Sequence, residues 1–546
     1  MAPWGAEAAD VRIRLGASLI QEVSTAAPKL PENLKTVGSG LLRNTAVFAG
    51  VSFCAYLVSL AKTIVLTRYF GTSPEMDAFT VSVLVPNLLG ALVIGSASAG
   101  LVPSLGKAEQ KGAQHRADVY RSSLLFFSLL SLVITFLLAL FAPQIVGVVA
   151  HAFDPYRRGL ATELGRWSAL LVFLNTVSGF ASAELLSRRK YALVAGAPAA
   201  ASVISLALIA AFHRAGAMVL VGSLLVGLIA QALIVFIPSL SGSHKGRSTL
   251  WHDSDVVHVI RGQFQLFAVA TIGVTNVFID QVISALLPTG SVSALSYASN
   301  LNMVVVQVVV MAMSAVVLTD LSSLAAGRDW SALKHRVRVC AISSLMLAAP
   351  ACFVILGAGH SAIRMLFQHG VFRADSAALV YIAWAGYSLG LIPMAIGMVA
   401  SRLANALHEN GLLFRIGIVM LVLNAVMDYV LMRTLGLVGI TLSTSIVYCV
   451  SAVLTYRALE RRVGRLIESN MVRQSVKILL AAVISSILPI VIRIFAGNGY
   501  PSVAVQLVVF TTGLILCYRR LGLVEVRAPR SWKAWQYVRF SFEDSL

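Results

Sequence analysis

Charged side chains are scarce in this sequence, since Asp, Glu, Lys and Arg together make up 12% of its 546 residues. Soluble globular proteins carry about 25%. Hydrophobic residues make up 58% and form runs of about 20 residues, long enough to cross a bilayer as helices. Lipid offers backbone N–H and C=O groups no partner, so only helices or a closed barrel can span it. The composition predicts an all-α polytopic membrane protein.

Pairable cysteines and catalytic motifs are also absent. The five cysteines are scattered and form no CxxC, which indicates neither a disulfide framework nor a metal site. The sequence contains no P-loop, no HExxH and no nucleophile elbow. We therefore expect no enzymatic centre, no bound metal and no cofactor. Any work that the protein does should be coupled to an ion gradient or to the membrane potential.

Acidic residues are few, with 24 Asp and Glu against 43 Lys and Arg. In a soluble domain a net charge of +19 would suggest nucleic acid, but here the basic residues fall in short loops between apolar runs. They concentrate after the even-numbered spans, in segments such as Arg188 to Lys190 and Arg457 to Arg465. Because cytoplasmic loops collect Lys and Arg, we expect both termini in the cytoplasm, the bilayer as partner, and no nucleic acid.

The apolar runs predict fourteen spans. They lie at about 46–69, 78–102, 122–150, 160–186, 191–213, 215–239, 262–287, 292–318, 336–358, 375–401, 412–433, 435–456, 474–494 and 501–518. The segment from Gly71 to Lys111 is loosely repeated from Gly290 to Arg328, which indicates two halves of six spans with a cavity between them. The predicted domains are a polar extension (1–44), two halves (45–240 and 241–458), an added helix pair (459–520) and a basic tail (521–546).

Two basic residues lie in the first span. Lys62 is well inside it, where an unpaired cation costs about 3 kcal/mol, so its side chain should face protein or a wet cavity. Arg68 follows six residues later, about 120° around the helix. Both could contact one elongated anion, or Arg68 could extend to the interface.

Two acidic residues and a proline are also predicted at membrane depth. Asp280 in the seventh span is a candidate ion-coupling residue, although it could instead neutralise a basic neighbour. Asp428 in the eleventh span is expected to pair with Arg433. Pro86 bends the second span, because proline frees a carbonyl one turn back, and is either a hinge or an ordinary kink.

The segment AKTIVLTRYFGTSPEMDAFTVSVLVPNLL, Ala61 to Leu89, resembles the signature of the MurJ/MviN family. Further similarity in VPSLGKAEQKG, GSVSALSYASNL and SRLANALHENG covers nearly the whole chain from about Asn44. The resemblance implies two six-helix lobes in a V shape, with two C-terminal helices lining a hydrophobic groove. It also implies a polyprenyl-diphosphate-linked saccharide as substrate. The substrate-binding residues that it implies are Lys62, Arg68, Asp77, Asn87 and Asn300.

The sequence departs from the family at its basic positions. The lipid II flippases of this family carry arginines in their central cavity. At the matching positions this chain has Tyr56, Lys62, Gly90 and Asn300. Only Lys62 keeps the charge, and lysine lacks the bidentate fork of arginine. We therefore expect a diphosphate to be held less strongly or elsewhere. An exopolysaccharide repeat unit becomes at least as well supported as the peptidoglycan precursor lipid II.

These features together predict an alternating-access flippase in the bacterial cytoplasmic membrane, working with other envelope biosynthesis proteins. A cation-coupled multidrug exporter with Asp280 as its ion site is the first alternative. A membrane polysaccharide polymerase or ligase is the second. It is disfavoured because the longest predicted external loop, about His360 to Ala374, is too short to hold a catalytic centre.

Overall fold

The computed structural model describes residues 32–241, 254–496 and 500–522, and the elements in these segments are helices. We number the long helices in chain order. They are α1 (Glu32–Phe70), α2 (Pro74–Gln110), α3 (Ala113–Leu140), α4 (Pro155–Ser187), α5 (Tyr191–Phe212), α6 (Met218–Leu240), α7 (Ser254–Ser284), α8 (Ser291–Ala326), α9 (Trp330–Phe367), α10 (Ala374–Ala406), α11 (Asn410–Leu435), α12 (Leu437–Val463), α13 (Ser469–Ala496) and α14 (Tyr500–Arg520).

Within the described residues, 12 of these helices are long and apolar enough to cross a membrane. The other two, α7 and α8, occupy the predicted seventh and eighth spans, but the structure does not describe all of their side chains. The all-α membrane architecture is therefore confirmed, while the count of fourteen spans stays a prediction. Helix α1 begins at Glu32, inside the predicted polar extension. Residues 1–31 and 523–546, which hold the rest of that extension and nearly all of the predicted tail, lie outside the described residues.

Several helix boundaries differ from those predicted. The third span was expected to run to residue 150, but α3 ends at Leu140 and a short helix, Ala142–Val149, follows. Pro143 explains this break, because it has no N–H to continue the helix and is tolerated in a first turn. Helices α4 and α10 are each interrupted, at Ala169 and at Gly390.

The helix contacts repeat with an offset of six helices. In the first half α1 packs against α5, α5 against α6, α2 against α4, and α4 against α6. In the second half the corresponding pairs are α7 with α11, α11 with α12, α8 with α10, and α10 with α12. A duplicated six-helix unit gives this pattern. The pair α13 and α14 is attached to the second half through α9.

Helix α7 also packs along α2 and so joins the two halves. At one end Ala285 shares a buried cluster with Ala78 and Val81 of α2. At the other end Val259 shares a cluster with Leu105. We call the end with the α1–α2 turn the outer end, following the Lys and Arg distribution, and the opposite end the inner end.

Candidate functional site

Asp77 connects the two halves at the outer end. It lies in the first turn of α2, where Ser73 caps the helix by accepting the N–H of Met76. The Asp77 carboxylate is fully buried and accepts the backbone N–H groups of Gly290, at 2.6 Å, and Ser293, at 2.9 Å. These N–H groups belong to the start of α8, where they lack partners within the helix. Asp77 thus caps a helix of the opposite half.

Arg157 provides the positive charge beside this carboxylate. Its guanidinium lies 3.5 Å from the Asp77 Oδ2 atom and stacks over the Phe153 ring, 4.3 Å from the ring centroid. Arg157 also bonds to Asp154, the exposed residue that caps α4. The hydrogen bond from Arg157 lowers the pKa of Asp154 below its ordinary value.

Three further hydrogen bonds cross between the halves at this end. The Tyr297 hydroxyl donates to the Gly71 carbonyl at 2.7 Å. The hydroxyls of Thr72 and Ser376 lie 2.7 Å apart, and the Val371 N–H donates to the Arg68 carbonyl at 3.1 Å. With the Asp77 bonds, they form what we call the outer contact, which closes this end of the bundle. The exposed Arg68 side chain takes no part in these bonds.

Lys62 lies at membrane depth in the first half. It is half-buried and has no hydrogen bond or ion pair with a described residue. At about 100° per residue it lies within about 20° of both Val51 and Tyr69 on α1. Val51 faces Gly196 of α5, and the Tyr69 ring stacks on His213, 4.1 Å away, at the end of α5. Lys62 therefore lies on the face of α1 that is turned toward α5.

The remaining predicted residues of the cavity are not brought into one cluster. Pro86 is buried within α2, and Asn87 beside it is exposed. Asn300 of α8 is exposed and lies two turns before Gln307, on the same face. Gln307 donates to the Tyr56 hydroxyl of α1 at 2.8 Å, so this face of α8 is directed at the first half. Tyr56 thus makes a neutral bridge between the halves.

The second half contains a buried acidic cluster, formed by α7, α10, α11 and α12. Asp280 is 2% exposed and accepts the hydroxyls of Tyr387, at 2.9 Å, and Thr444, at 3.0 Å. Asp428 and Asn424 adjoin it. One oxygen of each of these three side chains is buried without a hydrogen bond. A bound cation or a proton is the kind of partner that these oxygens require.

This cluster corrects one expectation and adds residues that the sequence did not predict. Asp428 does not pair with Arg433. Its carboxylate accepts the Ser443 hydroxyl, while Arg433 is bonded to Tyr429 and lies over its ring. The spacing of Asn424 and Asp428, one turn apart on an apolar helix, was the signal that could have identified them as one site.

An apolar groove of about 760 Å³ runs along the outside of the second half. Its walls come from α10, α12 and the beginning of α13, with residues such as Ile392, Ile446 and Met471. Arg457 and Glu460 stand at its inner end. The groove could hold a flexible hydrocarbon chain with a polar group at the inner membrane surface.

The model of the family described as "Lipid II flippase MurJ" matches residues 66–510. The chain belongs to the MurJ family. A "Probable lipid II flippase MurJ" from Treponema pallidum is 23% identical over 535 residues, covering 92% of this chain and 99% of the relative. The "Lipid II flippase MurJ" of Burkholderia cenocepacia is 25% identical over 442 residues, covering 77% and 84%.

Solved structures show the same fold. The structure "Lipid II flippase MurJ, inward closed conformation" has a TM-score of 0.76 at 19% identity and covers 87% of this chain and 99% of its own. An inward-facing multidrug resistance MATE family transporter of the MOP superfamily has a TM-score of 0.63 at 15% identity, covering 77% and 98%. Membership in the MurJ family makes this chain a membrane transporter rather than an enzyme.

Proposed function

We propose that this MurJ-family protein is an alternating-access flippase that moves a polyprenyl-diphosphate-linked glycan from the cytoplasmic to the periplasmic leaflet. The observation that carries the proposal is Lys62, a cation at membrane depth that no described residue neutralises. An uncompensated charge in this environment is costly. An anionic headgroup entering from the inner side supplies the missing counter-ion, and this requires the closed outer contact to separate later.

The other features fit the same transport cycle. The apolar groove accommodates the prenyl chain, which has no need to leave a lipid-like environment. The acidic cluster around Asp280 binds the coupling cation or proton, so that the ion gradient biases the relative position of the halves. The protein lies in the bacterial cytoplasmic membrane with both termini in the cytoplasm, where it receives its substrate from other envelope biosynthesis proteins.

Purified full-length protein in proteoliposomes tests this function with a fluorescent undecaprenyl-diphosphate-linked glycan. Wild-type protein should make the glycan accessible on the far leaflet, Lys62→Gln should reduce the rate by about tenfold, and Lys62→Arg should retain most of it. Full activity of Lys62→Gln would remove the central support for the proposal. Expression of this protein in cells depleted of their lipid II flippase, and separately in cells deficient in polysaccharide export, identifies the pathway. Rescue of growth points to lipid II, and rescue of export points to a polysaccharide unit.

A cation-coupled multidrug exporter is the second candidate, favoured by the acidic cluster and by the fold shared with the MATE transporter. The two candidates differ in substrate charge. Lys62 in the first half suits an anion, whereas cationic drugs would be repelled. Drug efflux by wild-type protein, abolished by Asp280→Asn and unaffected by Lys62→Gln, would favour the exporter.

A further inference from the structure

Three helices of the first half are interrupted around one small cavity of about 20 Å³. In α2, Pro86 has no N–H to donate to the carbonyl one turn before it. Helix α3 ends at Leu140, and the short helix begins at Ala142. Helix α4 is interrupted at Ala169, one turn after Gly165. Pro86, Ala142 and Gly165 all line the cavity, so the three interruptions lie side by side.

The interruption of α4 is a tight turn that is bonded to a neighbouring helix. The Ala169 carbonyl accepts the N–H of Val172 at 3.1 Å, three residues ahead instead of four, as in a 3₁₀ helix. It also accepts the Thr135 hydroxyl of α3 at 3.2 Å. Since a 3₁₀ turn inside a long helix often marks a hinge, Ala169 is a point about which α4 can bend.

A pair of serines joins α2 and α4 beside this turn. The buried hydroxyls of Ser82 and Ser168 lie 3.3 Å apart. Each hydroxyl has one hydrogen and a carbonyl acceptor in its own helix, at 2.7 Å in both cases. The two helices can therefore change their angle here without leaving a hydroxyl unpaired.

The parts of these helices on the outer side of the interruptions are tied to one another. The Tyr156 hydroxyl donates to the Glu75 carboxylate at 3.1 Å, and the Arg157 guanidinium lies 3.5 Å from the Asp77 carboxylate. Apolar side chains of α2, the short helix and the start of α4 also share one buried cluster. These parts form one unit, which we call the outer block, and it consists of residues 74–85 and 142–168.

The outer block is held differently by its two neighbours. Leu164 packs against Val221 of α6 in an apolar cluster, and apolar contacts permit small sliding movements. Asp77, in contrast, bonds to two N–H groups at the start of α8. At about 1.5 Å per residue Asp77 lies about 14 Å from Pro86 along α2, so a bend of about 20° there would move it by about 5 Å. A movement of this size breaks both hydrogen bonds.

We propose that the outer block turns about the hinge layer formed by Pro86, Phe141 and Ala169, and that this turn opens the outer contact. This inference rests on the proposed function. Close-packed helices resist a change of angle, but the cavity gives the side chains at the hinge layer space to move. The first half then does not move as one rigid body. The inner parts of α2 and α4 keep their packing while the outer block carries Asp77 away from α8.

Spin labels test this movement in full-length protein whose five native cysteines are replaced by alanine. One labelled pair joins Val148 in the outer block to Phe212 at the end of α5, and the control pair joins Leu129 of α3 to Phe212. All three positions are exposed. In proteoliposomes, weakening of the outer contact by Asp77→Asn should give the first pair a second distance and leave the control pair with one. A single unchanged distance in both pairs would overturn the inference, while flipping of a fluorescent glycan by the same samples tests the proposed function separately.

Gly165→Ala tests whether flipping uses the hinge layer. The added methyl group enters the cavity and lies 3.8 Å from the Ala142 side chain, an ordinary contact that does not strain the closed structure. It should slow flipping of a fluorescent undecaprenyl-diphosphate glycan about tenfold and remove the second distance. Gly159→Ala is the matched control on α4, since nothing lies within 4 Å of its added Cβ. Alanine favours helix over glycine, so both variants should melt at or above the wild-type temperature. Equal flipping rates in the two variants would contradict the proposal.

Discussion

Individual charged residues at membrane depth are the most informative features of this protein. The sequence was sufficient to single out Lys62 and Asp280, because each interrupts an apolar run where an unpaired charge is costly. The sequence alone could not show which residues surround these two side chains. The partners of Asp280, such as Tyr387 and Thr444, lie more than a hundred residues away along the chain. Asp77 was predicted to bind substrate, but in this structure its carboxylate is buried in the outer contact. Its role in substrate binding stays a prediction.

Replacement of Asp77 by asparagine should weaken the outer contact. The amide loses the negative charge beside Arg157 and keeps only one acceptor oxygen for two N–H groups, a loss of about 2 kcal/mol. A membrane-impermeant maleimide should then label Thr72→Cys from outside faster than in the parent protein. Glu75→Gln is the matched control, because Glu75 bonds to Tyr156 within the first half. Unchanged labelling in Asp77→Asn would show that the other hydrogen bonds are sufficient to keep the outer contact closed.

Replacement of Asp280 by asparagine should uncouple transport from the cation gradient. The substitution removes one charge from the oxygen cluster and should lower the affinity for the coupling cation by at least about tenfold. Transport rates measured across a range of Na⁺ concentrations and pH values identify the ion. Asp375→Asn, at an exposed site in the first turn of α10, should not change how the transport rate depends on Na⁺ concentration and pH. If Asp280→Asn behaves in the same way, the cluster is structural.

At the scale of elements, the sequence predicted where helices lie better than where they break. The apolar runs mark the spans, yet the ends of α3 and the interruption of α10 depend on local residues such as Pro143 and Gly390. The loop between α9 and α10 was recognised only as a short connection. In the structure it contacts the end of α1, since a Cβ atom on Gly370 would lie 2.3 Å from the Arg68 carbonyl oxygen.

Substitution of Gly370 by alanine should therefore separate this loop from α1. The residue has a φ of +67°, so alanine adds backbone strain of about 1–3 kcal/mol to the steric conflict. Gly216→Ala isolates the strain, because Gly216 has a φ of +82° and nothing within 4 Å of an added Cβ. Melting temperature should fall in both variants, but only Gly370→Ala should increase labelling at the outer end. Equal labelling in the two variants would show that the close approach of Gly370 to the Arg68 carbonyl does not help to close the outer end.

At the scale of the whole molecule, two similar halves carry opposite unpaired charges. The first half has Lys62 on the face of α1 turned toward α5, and the second has the acidic cluster of Asp280 and Asp428. The loose repeat in the sequence predicted two related halves, and the helix contacts show the same pairings in both. This difference in charge was not predictable from the repeat, because it depends on which helix faces turn inward. It suits a transporter that binds an anion in one half and a cation in the other.

In the proposed transport cycle, the halves must separate at the outer contact for the headgroup to leave. Thr72 and Ser376 are in hydrogen-bond contact across this boundary, so the pair T72C and S376C should form a disulfide in the closed state. The most direct measurement is flipping of a fluorescent undecaprenyl-diphosphate glycan by this double variant in proteoliposomes, before and after reduction. The single variants control for the native cysteines. We predict no flipping when the variant is cross-linked and recovery on reduction. Full activity of the cross-linked protein would contradict the account.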